Sequence, residues 1–275
     1  MNKKQLDDFF TFPEEYFLEI PKNFDTLIDR GSDTLVITFG DSWTWGGSLH
    51  PTERKSVIFG NIVSEKLNCD YKNVSLPSMS NRWIVNQLKK FHDAKLTLPY
   101  NRIILIVMLT EMCREFNTKD DLDTNYVEEL KNSLSFADVI QTLSNLNSRI
   151  ILDSLIENTQ LIVGRTYTCN LYRDLSNYMI PDSWLDLLCD ANGFDRVDNV
   201  YALHSWALEK IKDSTNFINI DKNKLIEDIT NSLETSLDAI TRLENSKLNM
   251  QHQGYKHPNA QGHKLWADHI LKFIK

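Results

Sequence analysis

At 275 residues the chain is long enough for one large α/β domain with a substantial core, or for two small domains. A hydrophobic fraction of 41% and a charged fraction of 25% are those of an ordinary soluble globular protein and exclude general disorder. The formal net charge of −8 argues against a nucleic-acid backbone as the main partner and is read as serving solubility.

The opening stretch MNKKQLDDFFTFPEEYF has two lysines followed by acidic and aromatic residues, without the continuous apolar segment of a signal peptide. Residues 1–30 are expected to form a lead-in packed on a single domain of residues 31–275. The longest apolar run, Ile103 to Leu109, has the length of a strand and is too short to cross a bilayer. A cytoplasmic location without membrane insertion is therefore expected. Cys69, Cys113, Cys169 and Cys189 are widely spaced and form no C-x-x-C pair, so they read as reduced thiols in or near the core.

Strand and helix signals then alternate. Thr34 to Phe39 is short, apolar and rich in β-branched residues, and it ends at a glycine. Val57 to Leu67 has helical spacing, and Tyr71 to Leu76 is a weaker strand pattern. Arg82 to Ala94 predicts a helix with Ile84, Leu88 and Phe91 on one face. Arg102 to Leu109 is apolar on both faces, as a strand inside a parallel sheet must be. A helical stretch from Tyr126 to about Glu157 follows. Leu161 to Tyr167 then reads as a fourth strand and Asn216 to Ile220 as a fifth. Lys264 to Ile274 closes the chain as a helix whose apolar face carries Leu265, Trp266, His269, Ile270 and Phe273.

This alternation predicts an α/β fold, a central parallel sheet of about five strands with helices on both faces. Insertions are expected near residues 168–215 and 221–253, as a cap, a substrate wall or a small satellite core. Ligands of such sheets bind beyond the carboxyl ends of the strands. The chemistry-bearing residues sit there in the sequence.

Gly40-Asp41-Ser42 follows the first strand directly. A serine at such an edge can expose its hydroxyl, and its amide can donate to a developing oxyanion where a helix begins. The same three residues also suit a plain strand-to-helix turn with Asp41 or Ser42 as a cap. Near the other end of the chain, His257 stands before Pro258, where an extended or turn backbone precedes the last helix. Its imidazole is suited to take a serine proton, or to hydrogen-bond locally at the helix entry. Trp43 and Trp45 flank Ser42 and can stack on a sugar ring or an acyl chain, or pack beneath the strand end. His263 and His269 are read as surface or partly packed helix residues. No metal site and no cofactor are implied, since neither a ligand cluster nor a G-x-G-x-x-G or P-loop pattern occurs.

Together the Gly40-Asp41-Ser42 block and the run from His257 through Pro258 and Asn259 to Gly262-His263 resemble the SGNH, or GDSL-type, esterase and lipase family. The resemblance covers the chain from about Thr34 to its end. It implies a flavodoxin-like three-layer sandwich, Ser42 as nucleophile and His257 as base. The middle blocks depart from the family. Leu76-Pro77-Ser78-Met79-Ser80-Asn81 has Ser78 where the family has an oxyanion-hole glycine. Thr110-Glu111-Met112-Cys113-Arg114 contains no asparagine, the family's third oxyanion donor. Gly254 stands where the family's D-x-x-H motif has its aspartate.

The resemblance thus implies Ser42 and His257 as catalytic residues, with Ser42, Ser78 and Thr110 as oxyanion donors. Asp41, Trp43, Asn81 and Arg114 are the expected substrate contacts. The expected activity is hydrolysis of a small acyl ester, such as an acetyl ester of a carbohydrate, through an acyl-enzyme. The alternative is a catalytically impaired protein of the same fold that binds a glycan or a partner. In either case the expected partner is a small-molecule or glycan ester, and no nucleic acid.

Overall fold

The computed structural model describes residues 2–10, 26–77, 79–94, 98–111, 159–169, 179–198, 200, 208–209, 212, 221–246 and 257–275. Within them, four strands form one sheet: β1 (Thr34–Gly40), β2 (Asp70–Ser75), β3 (Arg102–Leu109) and β4 (Thr159–Arg165). The order is β2-β1-β3-β4 and every pairing is parallel. The helices are α1 (Lys3–Phe9), α2 (Ser42–Trp45), α3 (Pro51–Val57), α4 (Phe59–Lys66) and α5 (Asn81–Ala94). After β4 come α6 (Trp184–Asn192), α7 (Lys222–Glu244) and α8 (Ala260–Ile270), closed by a 3-10 turn at Leu271–Phe273.

Strand alternation divides the core into two layers, one on each face of the sheet. Leu35, Ile37 and Phe39 of β1 join Leu105, Val107 and Leu109 of β3 on one face, under Ile84, Leu88 and Phe91 of α5. Val36 of β1 joins Ile104, Ile106 and Met108 of β3 on the other face. There Phe59 and Val63 of α4, Trp184 of α6 and Trp266 and Ile270 of α8 cover the sheet. Both faces of β1 and β3 are therefore dry, which is why β3 reads as an unbroken apolar run and β1 as one interrupted by buried Thr38. The fold is α/β with a parallel sheet between helical layers, as the alternation predicts. The segments Tyr126 to Glu157 and Asn216 to Ile220 lie outside the described residues.

The expected helix over Val57 to Leu67 is α4, and α3 precedes it as a separate helix that the spacing does not predict. Ile58 ends α3 and begins α4 in an extended conformation, with φ −65° and ψ 141°, and buries its side chain. No local side chain caps α4. Instead the amide of Phe59 donates to Nδ1 of His263 on α8, at 3.2 Å. An orphan amide of the first turn is thus satisfied across the fold. His263 is fully buried, stacked on Phe59 and edge-on to Trp184, so it is a core residue and not the surface or partly packed one expected.

Neither expected insertion is a separate structure where it is described. Trp184 belongs to the main core, stacked on Trp266 and edge-on to Trp43. The 23-residue α7 contributes Ile229 to one core layer and Ala239, Ile240 and Leu243 to the other. No described helix is long and apolar enough to cross a membrane.

At the amino ends of the strands, α1 is fastened by charge as well as by buried Leu6 and Phe10. Asp70 is fully buried and accepts from Lys3 Nζ at 2.6 Å and the Tyr100 hydroxyl at 2.9 Å. It also accepts from the amides of Arg30, at 2.7 Å, and Ser32, at 3.1 Å. The hydrogen bond to Asp70 holds the Lys3 ammonium above its ordinary pKa. Replacing Asp70 with alanine strands these donors around a dry site and is expected to cost about 3 kcal/mol. Urea unfolding measures this, and a loss under about 1 kcal/mol would contradict the account.

Cys69, Cys169 and Cys189 are buried thiols outside any disulfide. Burial pushes the Cys189 thiol up to about 11 and raises that of Cys69 as well. Both are therefore expected to resist iodoacetamide in the native protein at about pH 8 and to react once it is denatured. Rapid native alkylation at Cys189, read by peptide mass, would contradict this burial.

Candidate active site

The site begins where β1 stops. A Cβ on Gly40 would stand 2.1 Å from Thr44 Oγ1 and 2.5 Å from Thr44 Cβ. Only a bare Cα lets the short α2 fold back so tightly on the strand end. Asp41 caps that turn, its carboxylate accepting from the amide of Trp43 at 3.0 Å. The turn closes at Gly46, left-handed at φ 80°, where glycine carries no Cβ penalty. Ser42 is thereby set at the first helical position, at the carboxyl edge of the sheet and 7% exposed.

His257 arrives from the far end of the chain, before Pro258 and the Asn259 cap of α8. The Asn259 side chain accepts from the amides of Gln261 and Gly262. Trp266, Ala267 and Ile270 bury the helix behind this turn, and Trp184 Nε1 donates to the carbonyl of Gly262 at 3.1 Å. These contacts deliver the imidazole to the Ser42 turn. His257 Nε2 lies 2.9 Å from Ser42 Oγ, across a sequence separation of 215 residues. That is hydrogen-bond distance for a serine and a base.

The remaining expected site residues are placed differently. Trp43 is 1% exposed, its ring packed edge-on against Tyr167 and Trp184. It forms the floor beneath the turn, which corrects its expected role as a substrate contact. Asp41 and Asn81 are fully buried and engaged with protein groups, so they too lie behind the site and not in contact with a substrate.

Thr110, just past β3, links them. Its hydroxyl donates to Asp41 Oδ2 at 2.6 Å and its amide donates to Asn81 Oδ1 at 2.8 Å. Its carbonyl accepts from Asn81 Nδ2 at 3.2 Å. The hydroxyl has a single proton, and Asp41 takes it. Thr110 is therefore a strut of the Ser42 turn, with its hydroxyl proton on Asp41 and not free for the expected oxyanion. Ser78, Arg114 and the Gly254 position lie outside the described residues.

His269 sits on α8 away from this edge, stacked on Trp266, with Nε2 3.6 Å from Asp182 Oδ2. Burial lowers its pKa, against the raising effect of Asp182. Sequence reasoning missed two groups, the Thr110 strut and the His263 cap. Asparagine and threonine near strand ends hint at such bonds, but their partners are 29, 69 and 204 residues away.

No protein-family model matches the chain, and no curated protein matches it. Solved structures do. A lipolytic protein of the G-D-S-L family from Desulfitobacterium hafniense matches over 87% of this chain and 99% of its own, at 10% identity and a TM-score of 0.38. An acetylxylan esterase from Geobacillus stearothermophilus matches over 87% of this chain and 92% of its own, at 13% identity and a TM-score of 0.38. A GDSL-like lipase from Bacteroides thetaiotaomicron matches over 94% and 93%, at 10% identity and a TM-score of 0.37. Overlap this low adds nothing to the assignment of the site, which rests on the side chains at the carboxyl edge of the sheet.

Proposed function

We propose that the protein is a serine ester hydrolase that works through an acyl-enzyme and removes a small acyl group, such as acetyl, from a carbohydrate ester. The 2.9 Å approach of Ser42 Oγ to His257 Nε2 carries this reading. With Nδ1 protonated, the serine hydroxyl donates to Nε2 and the imidazole is set to accept its proton. Ser42 Oγ then bonds to the ester carbonyl carbon while His257 takes the proton. In this reading the backbone amide of Ser42 donates to the oxyanion, and the Ser78 amide and the Arg114 guanidinium are the further donors that the sequence offers. Collapse breaks the ester bond, and the leaving alcohol takes the proton from His257. Water, deprotonated by the same imidazole, releases the acid and restores Ser42.

The choice of a small acyl group rests on the resemblance carried by Gly40-Asp41-Ser42 and the His257 to His263 block. A series of p-nitrophenyl esters from acetate to decanoate, together with acetylated oligosaccharides, tests it. Acetyl esters are expected to turn over fastest, and Ser42→Ala is expected to abolish release. Faster turnover of long chains would contradict the small-acyl assignment.

A further inference from the structure

We propose that Thr110 is a positioning residue for the nucleophile, acting through Asp41. This rests on the reading of Ser42 as the nucleophile. The chain of contacts is short and dry. Asn81, the first residue of α5, grips both peptide groups of Thr110, its carboxamide oxygen taking the amide and its nitrogen donating to the carbonyl. The backbone of Thr110 is thereby fixed, and its side-chain hydroxyl donates to Asp41 Oδ2.

The other oxygen of Asp41 takes the amide of Trp43, and the Asp41 carbonyl takes the amide of Trp45 at 2.9 Å. Ser42 lies between these fixed points. Asp41, Thr110 and Asn81 are each at most 1% exposed, so water does not replace a lost donor at no cost. Removing the hydroxyl leaves Asp41 Oδ2 short of its partner just past β3 and loosens the carboxylate. The α2 turn then loses the contact that ties it to the centre of the sheet. A nucleophile displaced by about 1 Å loses up to about 10²-fold in rate.

The test compares Thr110→Val with Thr110→Ser, which keeps the hydroxyl. The rate of fluorophosphonate labelling at Ser42 and kcat for p-nitrophenyl acetate are expected to fall about 10- to 100-fold in the valine variant, with KM within about twofold. The serine variant is expected to stay within about threefold of wild type. Hydrogen exchange at the Trp43 amide, which needs no activity, is expected to quicken about tenfold in the valine variant and not in the serine variant. Should Thr110→Val fail to fold, Thr110→Ala removes the same hydroxyl without placing a second methyl beside Asp41.

A lower unfolding midpoint with wild-type labelling, kcat and exchange would overturn the proposal, because it marks a residue that only stabilises. An unlabelled wild type with the expected exchange pattern would instead remove the nucleophile reading and leave the Thr110 strut standing.

Discussion

Replacing His257 with alanine is expected to lower the turnover of p-nitrophenyl acetate by roughly 10⁴-fold or more, with KM little changed. The imidazole faces Ser42 at 2.9 Å, so its loss removes the base for both acylation and deacylation. A serine hydroxyl without a base is a weak nucleophile near neutrality. Added imidazole is expected to restore part of the rate in His257→Ala, because the truncation opens a space of the same shape. It is not expected to help Ser42→Ala, which lacks the atom that bonds to the carbonyl. Unchanged turnover in His257→Ala would show that the contact at the sheet edge is not the catalytic one. Both variants are expected to keep the wild-type unfolding midpoint within a few degrees. His257 is only partly buried, and the neighbouring helix α8 is anchored by Trp266 and Ile270.

Gly40→Ala is also expected to lower activity strongly, and through a different route. The added methyl would meet Thr44 Oγ1 at 2.1 Å and Thr44 Cβ at 2.5 Å, where carbon contacts settle at about 3.5–4.0 Å. Strand β1 is paired on both sides and cannot yield, since Gly40 faces Ser75 of β2 and Phe39 faces Val107 of β3. The α2 turn must therefore move, by about 1 Å, and Ser42 moves with it. An overpacking cost of about 1–3 kcal/mol and a loss of about 10²-fold in kcat follow. Thr44→Ala is not expected to rescue this variant, because alanine keeps the Cβ at 2.5 Å. Thr44→Gly removes that atom and is expected to recover most of the activity. Wild-type kcat and stability in Gly40→Ala would contradict the packing described.

Sheet and site were legible to different extents, for physical reasons. Arg102–Leu109 matches its expectation at both ends, because a strand buried on both faces shows an unbroken apolar run. The fourth strand starts at Thr159, ahead of the apolar run from Leu161. Pairing of Ile103 with Thr159 and of Ile104 with Gln160 sets that end, and parallel register leaves no local signature. The start of α4, past Ile58, was not legible because the group that caps it, His263, lies 204 residues beyond Phe59.

At the site, Ser42 and His257 were readable because each sits in a compact block beside a turn or a proline. The family resemblance points Thr110 to the oxyanion and Asp41 and Asn81 to the substrate. Only the folded geometry shows that they bond to one another. Trp43 followed the same pattern. An aromatic beside a strand end can face outward or inward, and Tyr167 and Trp184 draw it inward.

The central claim is that Ser42 is a nucleophile activated by His257, and covalent labelling reads it most directly. Folded wild-type protein is to be treated with a fluorophosphonate, then weighed intact and mapped by peptide mass. The account predicts one adduct per chain on the peptide carrying Ser42, absent in Ser42→Ala and slowed in His257→Ala. A folded wild type that gains no adduct, or gains it elsewhere, would contradict it.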